Sequence, residues 1–137
     1  MLVKDIMTSP VITVVLDTPL QEAAEIMADN HIGCLVIKSG GRVSGIITDR
    51  DILVFIADEE HGILDKYVVR DAMKEYVITI QSSSTIEKAI GVMTNNRIKK
   101  IPVMDGERLS GILTMSDIIW AQPSLIEKLH PKPGGRD

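Results

Sequence analysis

Aromatic residues are almost missing from this sequence: one Trp, two Tyr and one Phe stand in 137 residues. A core must then be built from Ile, Leu, Val, Met and Ala. The platforms on which single-stranded nucleic acids stack are missing as well. A basic excess is also lacking. The formal net charge is −4 and the pI about 5.3, the wrong balance for a DNA or RNA partner, though not for a small local anion site. Cysteine occurs once, as Cys34, which excludes an intramolecular disulfide and fits a reducing, cytoplasmic setting. No run approaches the roughly 18 apolar residues of a membrane span, and Asp5 and Thr8 interrupt any apolar stretch of a signal peptide. The phosphate-cradling glycine loop, the GxGxxG turn, HExxH and CxxC do not occur. His31, His61 and His130 lie far apart without metal-ligand spacing. Enzyme, nucleic-acid binder, membrane protein and metal protein all recede as expectations.

What is present is ordinary in amount and unusual in order. Hydrophobic residues make up 45% and charged residues 25%, normal for a soluble globular domain. The chain aligns with itself without a gap at a shift of 66 residues. Val3-Lys4-Asp5-Ile6-Met7 meets Val69-Arg70-Asp71-Ala72-Met73, and Val11-Ile12-Thr13 meets Val77-Ile78-Thr79. Ser44-Gly45-Ile46-Ile47-Thr48 meets Ser110-Gly111-Ile112-Leu113-Thr114, and Asp51-Ile52 meets Asp117-Ile118. This is a duplication.

Each copy predicts β-α-β-β-α. Val11 to Val14 is a short β-branched run, hence a strand. Thr18-Pro19-Leu20-Gln21 predicts a capped helix start, as do Ser84 and Glu87. Leu20, Ala23, Ala24 and Met27, repeated as Ile86, Ala89, Ile90 and Met93, have the spacing of a buried helix face. Asn30 and Asn96 fall where a left-handed helix end is expected. Cys34 to Ile37, Gly40-Gly41 and Val43 to Ile47 predict a hairpin. So do Ile101 to Val103, Asp105-Gly106 and Leu109 to Leu113. A second helix starts at Thr48 or Thr114, with Ile52, Leu53 and Ile56, or Ile118 and Ile119, as its apolar face. A repeat of roughly 55 residues is marginal alone, so the two are expected to pack into one pseudo-two-fold symmetric α+β module. The expected limits are 1–57 and 67–122 for the repeats, 58–66 for a linker and 123–137 for a C-terminal segment and tail. Trp120, Leu125, Ile126 and Leu129 are expected to cover core or a dimer face.

The order β-α-β-β-α, twice, with Val3 to Thr8 and its partner at Val69 to Met73, and with Gly-Ile-Ile-Thr-Asp-Arg-Asp and Gly-Ile-Leu-Thr-Met-Ser-Asp, resembles the CBS domain pair, or Bateman module. The resemblance runs from Val3 to about Trp120. It implies a regulatory module binding AMP, ADP, ATP or S-adenosylmethionine in clefts between the repeats and signalling to a partner protein. It also implies a disc-like homodimer, and, with nothing fused here, a stand-alone protein.

By the same resemblance, Asp51 and Asp117 accept hydrogen bonds from ribose hydroxyls, and Thr48 and Thr114 bond ribose or phosphate. An ionised carboxylate is a strong acceptor for a diol, and a helix start offers N–H groups to phosphate. Thr-x-x-Asp is equally a capping box, and the two roles are compatible. Gly45 and Gly111 signal a bulge or a close approach, of the neighbouring repeat or of a ligand. Ile12-Thr13 and Ile78-Thr79 are base contacts in the family; the isoleucines are as readily core. Arg97, Lys99 and Lys100, just before Ile101-Pro102-Val103, either contact phosphate, with Pro102 beside them, or serve a helix end. The first copy has His31, Gly33 and Cys34 there, so the two sites are expected to differ. Arg50 is expected to reach phosphate, pair with Asp49 or make a dimer contact, and Cys34 to be a small buried hydrophobe. Asp51 and Asp117, as copies in separate sites, do not form an acid–base pair on one substrate. A ligand-free dimerisation or interaction module is the alternative.

Overall fold

The computed structural model describes residues 1–58 and 64–125. Most of the predicted linker, His61, His130, Ile126, Leu129 and the tail from Pro131 lie outside them. The architecture is α+β, with two copies of β-α-β-β-α. In the first, β1 (Thr13–Val14) is followed by α2 (Leu20–Asn30), β2 (Cys34–Ser39), β3 (Arg42–Thr48) and α3 (Asp49–Ala57). In the second, β4 (Ile80–Gln81) is followed by α4 (Ile86–Asn96), β5 (Lys100–Asp105), β6 (Arg108–Thr114) and α5 (Met115–Ala121). A one-turn helix, α1 (Val3–Ile6), leads the first copy, and a 3-10 turn at Val69–Asp71 leads the second.

Each copy makes one three-stranded sheet, in the orders β1-β2-β3 and β4-β5-β6. The first pair of strands is parallel and the second an antiparallel hairpin. The hairpins turn at Gly40 and Gly41 (φ 58° and 79°) and at Gly106 (φ 64°), a left-handed backbone that glycine adopts without a Cβ penalty. Both hairpins break register at the same place, between Ile37 and Lys38 and between Val103 and Met104. The duplication therefore extends to the irregularities.

Two compact units form, and they are offset from the sequence repeats. A central unit comprises Ile12–Val77; a terminal unit comprises Met1–Val11 with the chain from Ile78 on. The leading segment of each sequence repeat completes the unit built by the rest of the other repeat. Val69 is fully buried in the core with Leu20, Ala23, Leu35, Ile37 and Ile47. Val3 is fully buried in the core with Ile86, Ala89, Met93, Ile101 and Leu113. The backbone ties are matched: Val69 N–H donates to Thr18 O and Leu20 N–H to Tyr67 O, while Val3 N–H donates to Ser84 O and Ile86 N–H to Met1 O.

These ties explain why the helix starts differ from the expected caps. Thr18 does not cap α2. It is buried, and its hydroxyl accepts from Val15 N–H at 3.1 Å, while Pro19 holds the cap position without a side-chain bond. In the second copy the cap is Thr85, accepting from Lys88 N–H at 3.1 Å, rather than Ser84. Asn30 and Asn96 are the last helical residues, each donating its side-chain amide back to a carbonyl four residues earlier, Ile26 or Val92. The left-handed positions fall one residue later, on His31 and Arg97, both at φ 54°. On α3 the cap at Thr48 sets the register so that Ile52 and Phe55 are buried. Leu53 and Ile56, expected inside, are turned out by about 100° per residue and stand 65% and 50% exposed. On α5, Ile118 is buried with Ile119 packed beside it, while Trp120, expected to cover core or a dimer face, is 86% exposed and so is not core. Among the described residues, no helix is long and apolar enough to cross a membrane.

Candidate functional site

Thr48 and Thr114 each end a strand and begin a helix, and both form the reciprocal capping box with the aspartate three residues on. Thr48 Oγ1 accepts from Asp51 N–H at 3.1 Å, and Asp51 Oδ2 accepts from Thr48 N–H at 2.9 Å. Thr114 and Asp117 repeat both bonds at the same distances. The threonine and aspartate side chains of each pair are thus held by local sequence alone. One oxygen of each carboxylate, Oδ1, is left for another donor.

That donor comes from the leading segment of the other sequence repeat. In the terminal unit, Thr8 donates its hydroxyl to Asp117 Oδ1 at 3.2 Å. In the central unit, Lys74 Nζ lies 3.0 Å from Asp51 Oδ1. Residues 8 and 74 are equivalent under the 66-residue shift, and sequence reasoning missed both, because the contact joins positions far apart in the chain. The signal that was available is their place directly after Met7 and Met73 in the repeated segment.

A two-bond bridge holds each segment there. Thr8 exchanges backbone bonds with Ile112 at 2.9 Å each way, and Lys74 with Ile46 at 2.9 and 3.0 Å. The bridge runs directly over Gly45 and Gly111. A Cβ on Gly111 would meet Met7 Sδ at 2.5 Å and Thr8 O at 3.0 Å; on Gly45 it would meet Met73 Sδ at 2.6 Å and Lys74 O at 3.0 Å. The close approach these glycines permit is that of the crossing segment.

The helix starts are less open to phosphate than expected. Asp49 N–H donates to Gly33 O at 2.9 Å, Arg50 N–H to Asp49 Oδ1 at 2.8 Å, and Asp51 N–H to Thr48. On α5, Met115 N–H donates to Lys99 O at 2.9 Å. Cations must come from side chains, and they come from different places in the two units. Lys100 stands opposite Thr114 in the sheet and Lys99 O accepts from Met115 N–H, so the start of β5 lies beside the Thr114–Asp117 pair. In the central unit Cys34 takes that place opposite Thr48, and Lys74 stands at Asp51 instead.

The remaining expected residues are distributed as follows. Ile12, Thr13, Thr48 and Asp51 fall in the central unit, and Ile78, Thr79, Thr114, Asp117 and the basic cluster in the terminal one. Neither Ile12 nor Ile78 is a fully buried core residue. Pro102 is buried in β5 opposite Ile112. Cys34 is buried at the start of β2. Arg50 borders a hollow of about 390 Å³ in the central unit, with Asp51, Phe55, Asp58, Asp71 and Lys74. Among the described residues, no group of His, Cys, Asp and Glu is placed to hold a metal ion.

This duplicated arrangement has close counterparts. The CBS domain family profile matches residues 3–58 and again 69–124. The CBS-domain containing protein ATU1752 from Agrobacterium tumefaciens superposes with a TM-score of 0.82 at 31% identity, over 89% of this chain and 99% of that one. The CBS domain pair of protein MJ0100, in complex with 5′-methylthioadenosine and S-adenosyl-L-methionine, does so with a TM-score of 0.78 at 31% identity, over 90% and 97%. An uncharacterized Methanopyrus kandleri protein, MK0525, is 31% identical over 122 residues, and the chain spans 62% of its length. With matching profiles at both copies and the same fold over nine-tenths of its length, this chain belongs to the CBS domain family and carries two CBS domains in tandem.

Proposed function

We propose that this protein is a regulatory module that binds an adenine nucleotide or S-adenosylmethionine at the Thr48–Asp51 and Thr114–Asp117 pairs and passes its occupancy to a partner protein, without catalysis. The observation carrying this reading is the carboxylate geometry. Each aspartate uses Oδ2 on its own helix cap and presents Oδ1 to a side-chain donor from a distant segment. A ribose diol is a donor of the same kind. The MJ0100 pair, with its two adenosine-containing ligands, adds support from a protein of the same fold. Arg97, Lys99 and Lys100, with Pro102 beside them, serve a phosphate at the Thr114 site, and Ile12, Thr13, Ile78 and Thr79 shape the surroundings of the base. Signalling requires the ligand to favour one arrangement of the protein over another.

The test is thermal unfolding with millimolar AMP, ADP, ATP or S-adenosylmethionine. A ligand at a hundred times its dissociation constant stabilises the native state by about 2.7 kcal/mol, which raises the midpoint of a domain this size by about 10 °C. A rise with at least one of the four, lost in the Asp51→Asn/Asp117→Asn variant, supports the reading; no rise with any of them overturns it.

A second reading, association without a ligand, is favoured by a separate observation. Leu53, Val54 and Ile56 on α3 and Trp120 on α5 are all at least half exposed, more large apolar surface than two short helices ordinarily leave in water. A second copy of this chain, giving a homodimer, is the occupant we assign to these faces. The two readings coexist in one protein.

A further inference from the structure

We infer that Lys74 makes the Thr48–Asp51 pair the weaker of the two sites for a ribose, so that an adenosine ligand fills the Thr114–Asp117 site first. This rests on the ligand reading above and assigns an order to it.

Both aspartates have already engaged Oδ2 with a cap N–H at 2.9 Å, so Oδ1 is the oxygen more open to a diol. In the terminal unit Oδ1 faces the hydroxyl of Thr8 at 3.2 Å. A hydroxyl is neutral, rotates, and both donates and accepts. It can turn away from the carboxylate and accept a bond from the incoming sugar. In the central unit Oδ1 faces the ammonium of Lys74 at 3.0 Å. An ammonium has three donors and no acceptor, and its bond to a carboxylate is charge-assisted. It offers the sugar no acceptor, so a ribose hydroxyl has to compete with its charge-assisted bond for Oδ1.

The surroundings act in the same direction. The Asp51 side chain is only 12% exposed, and that of Lys74 is 61% exposed: the lysine end covers a carboxylate that water barely reaches. The hollow that both residues border also presents Asp58 and Asp71. Together with Asp51 these put three carboxylates against Arg50 and Lys74, so a phosphate there gains little. The corresponding positions 5, 116 and 124 in the terminal unit carry Asp5, Ser116 and Ser124, and Lys99 and Lys100 adjoin Met115 and Thr114 instead. Ribose and phosphate thus favour the same site.

The position can be exchanged without rebuilding the fold. Thr8 shows that threonine fits at the bridging position, and the Lys74–Ile46 bonds are backbone bonds that a side-chain substitution leaves in place. Isothermal titration of the full chain with AMP, in the native protein and in K74T, T8K, D51N and D117N, gives the test. The native protein is expected to show two affinity classes, the tighter lost in D117N and the weaker lost in D51N. K74T is expected to tighten the weaker class by about fivefold, the upper end of what an exposed ion pair contributes, leaving the tighter one unchanged. T8K is expected to weaken the tighter class by a similar factor. A weaker class that K74T leaves unchanged or weakens further overturns the inference while AMP binding itself stands, as does loss of the tighter class in D51N. AMP binding by none of the five proteins overturns both the inference and the function on which it rests.

Discussion

Gly111 and Met7, distant in the chain, stand so close that a β-carbon on the glycine would meet the methionine sulfur at 2.5 Å. Gly45 and Met73 repeat the relationship at 2.6 Å. Because the backbone oxygen of Thr8 also lies 3.0 Å away, rotation of the methionine alone does not relieve the contact. Gly111→Ala is expected to destabilise the protein by about 1–3 kcal/mol, the range for overpacking. Met7→Ala, itself destabilising, is expected to lessen the cost of the glycine change. A double-mutant cycle by urea unfolding measures the coupling; strictly additive effects would show that the segment does not cross there.

The same crossing predicts where a change near the N-terminus is felt. Val3 belongs to the leading segment of the first repeat but is buried in the core built by the second. Val3→Ala is expected to cost about 2 kcal/mol and to raise amide exchange in β5 and β6 more than in β2 and β3. Faster exchange confined to β2 and β3 would place Val3 with the wrong repeat.

The helix ends make a prediction of opposite sign. His31 holds φ 54°, a left-handed conformation that costs a non-glycine residue roughly 1 kcal/mol. His31→Gly is therefore expected to stabilise the protein by up to about 1 kcal/mol, read as a shift in the urea midpoint at constant slope. Destabilisation would mean that the histidine side chain contributes more than the backbone strain it causes.

The exposed apolar faces predict association. Val54 and Trp120 occupy equivalent places on α3 and α5 and are 59% and 86% exposed. Sedimentation velocity is expected to give a dimer for the native protein and a monomer for Val54→Asp/Trp120→Asp, with the unfolding slope unchanged. A native monomer would leave these faces without the second copy assigned to them.

Much of this was legible in the sequence because it is local. The capping boxes at Thr48 and Thr114 need only four consecutive residues, and the glycine turns announce the hairpins. What was not legible depends on distant chain. Thr18 looks like a cap until Tyr67 O and the neighbouring Val69 are seen to hold the start of α2. Asn30 and Asn96 suit a left-handed end by type, but their side chains bond back into the helix and pass that conformation to His31 and Arg97. Leu53 and Ile56 read as core because α3 is apolar nearly all round, and only the register set by Thr48 decides that Phe55 faces inward. The donors at the two aspartates were hidden for the same reason: Thr8 and Lys74 are brought to Asp117 and Asp51 by an exchange of leading segments that no periodicity records.

The central claim is that Asp51 and Asp117 receive the hydroxyls of a bound ribose. The most direct test is equilibrium dialysis of AMP against 2′-deoxy-AMP, in the native protein and in Asp51→Asn/Asp117→Asn. Loss of one hydrogen bond to a charged group is expected to weaken 2′-deoxy-AMP by about tenfold or more in the native protein. In the variant the two nucleotides are expected to bind equally, and more weakly than AMP binds the native protein. Equal affinity of the native protein for both nucleotides, or the same discrimination in the variant, would contradict the claim.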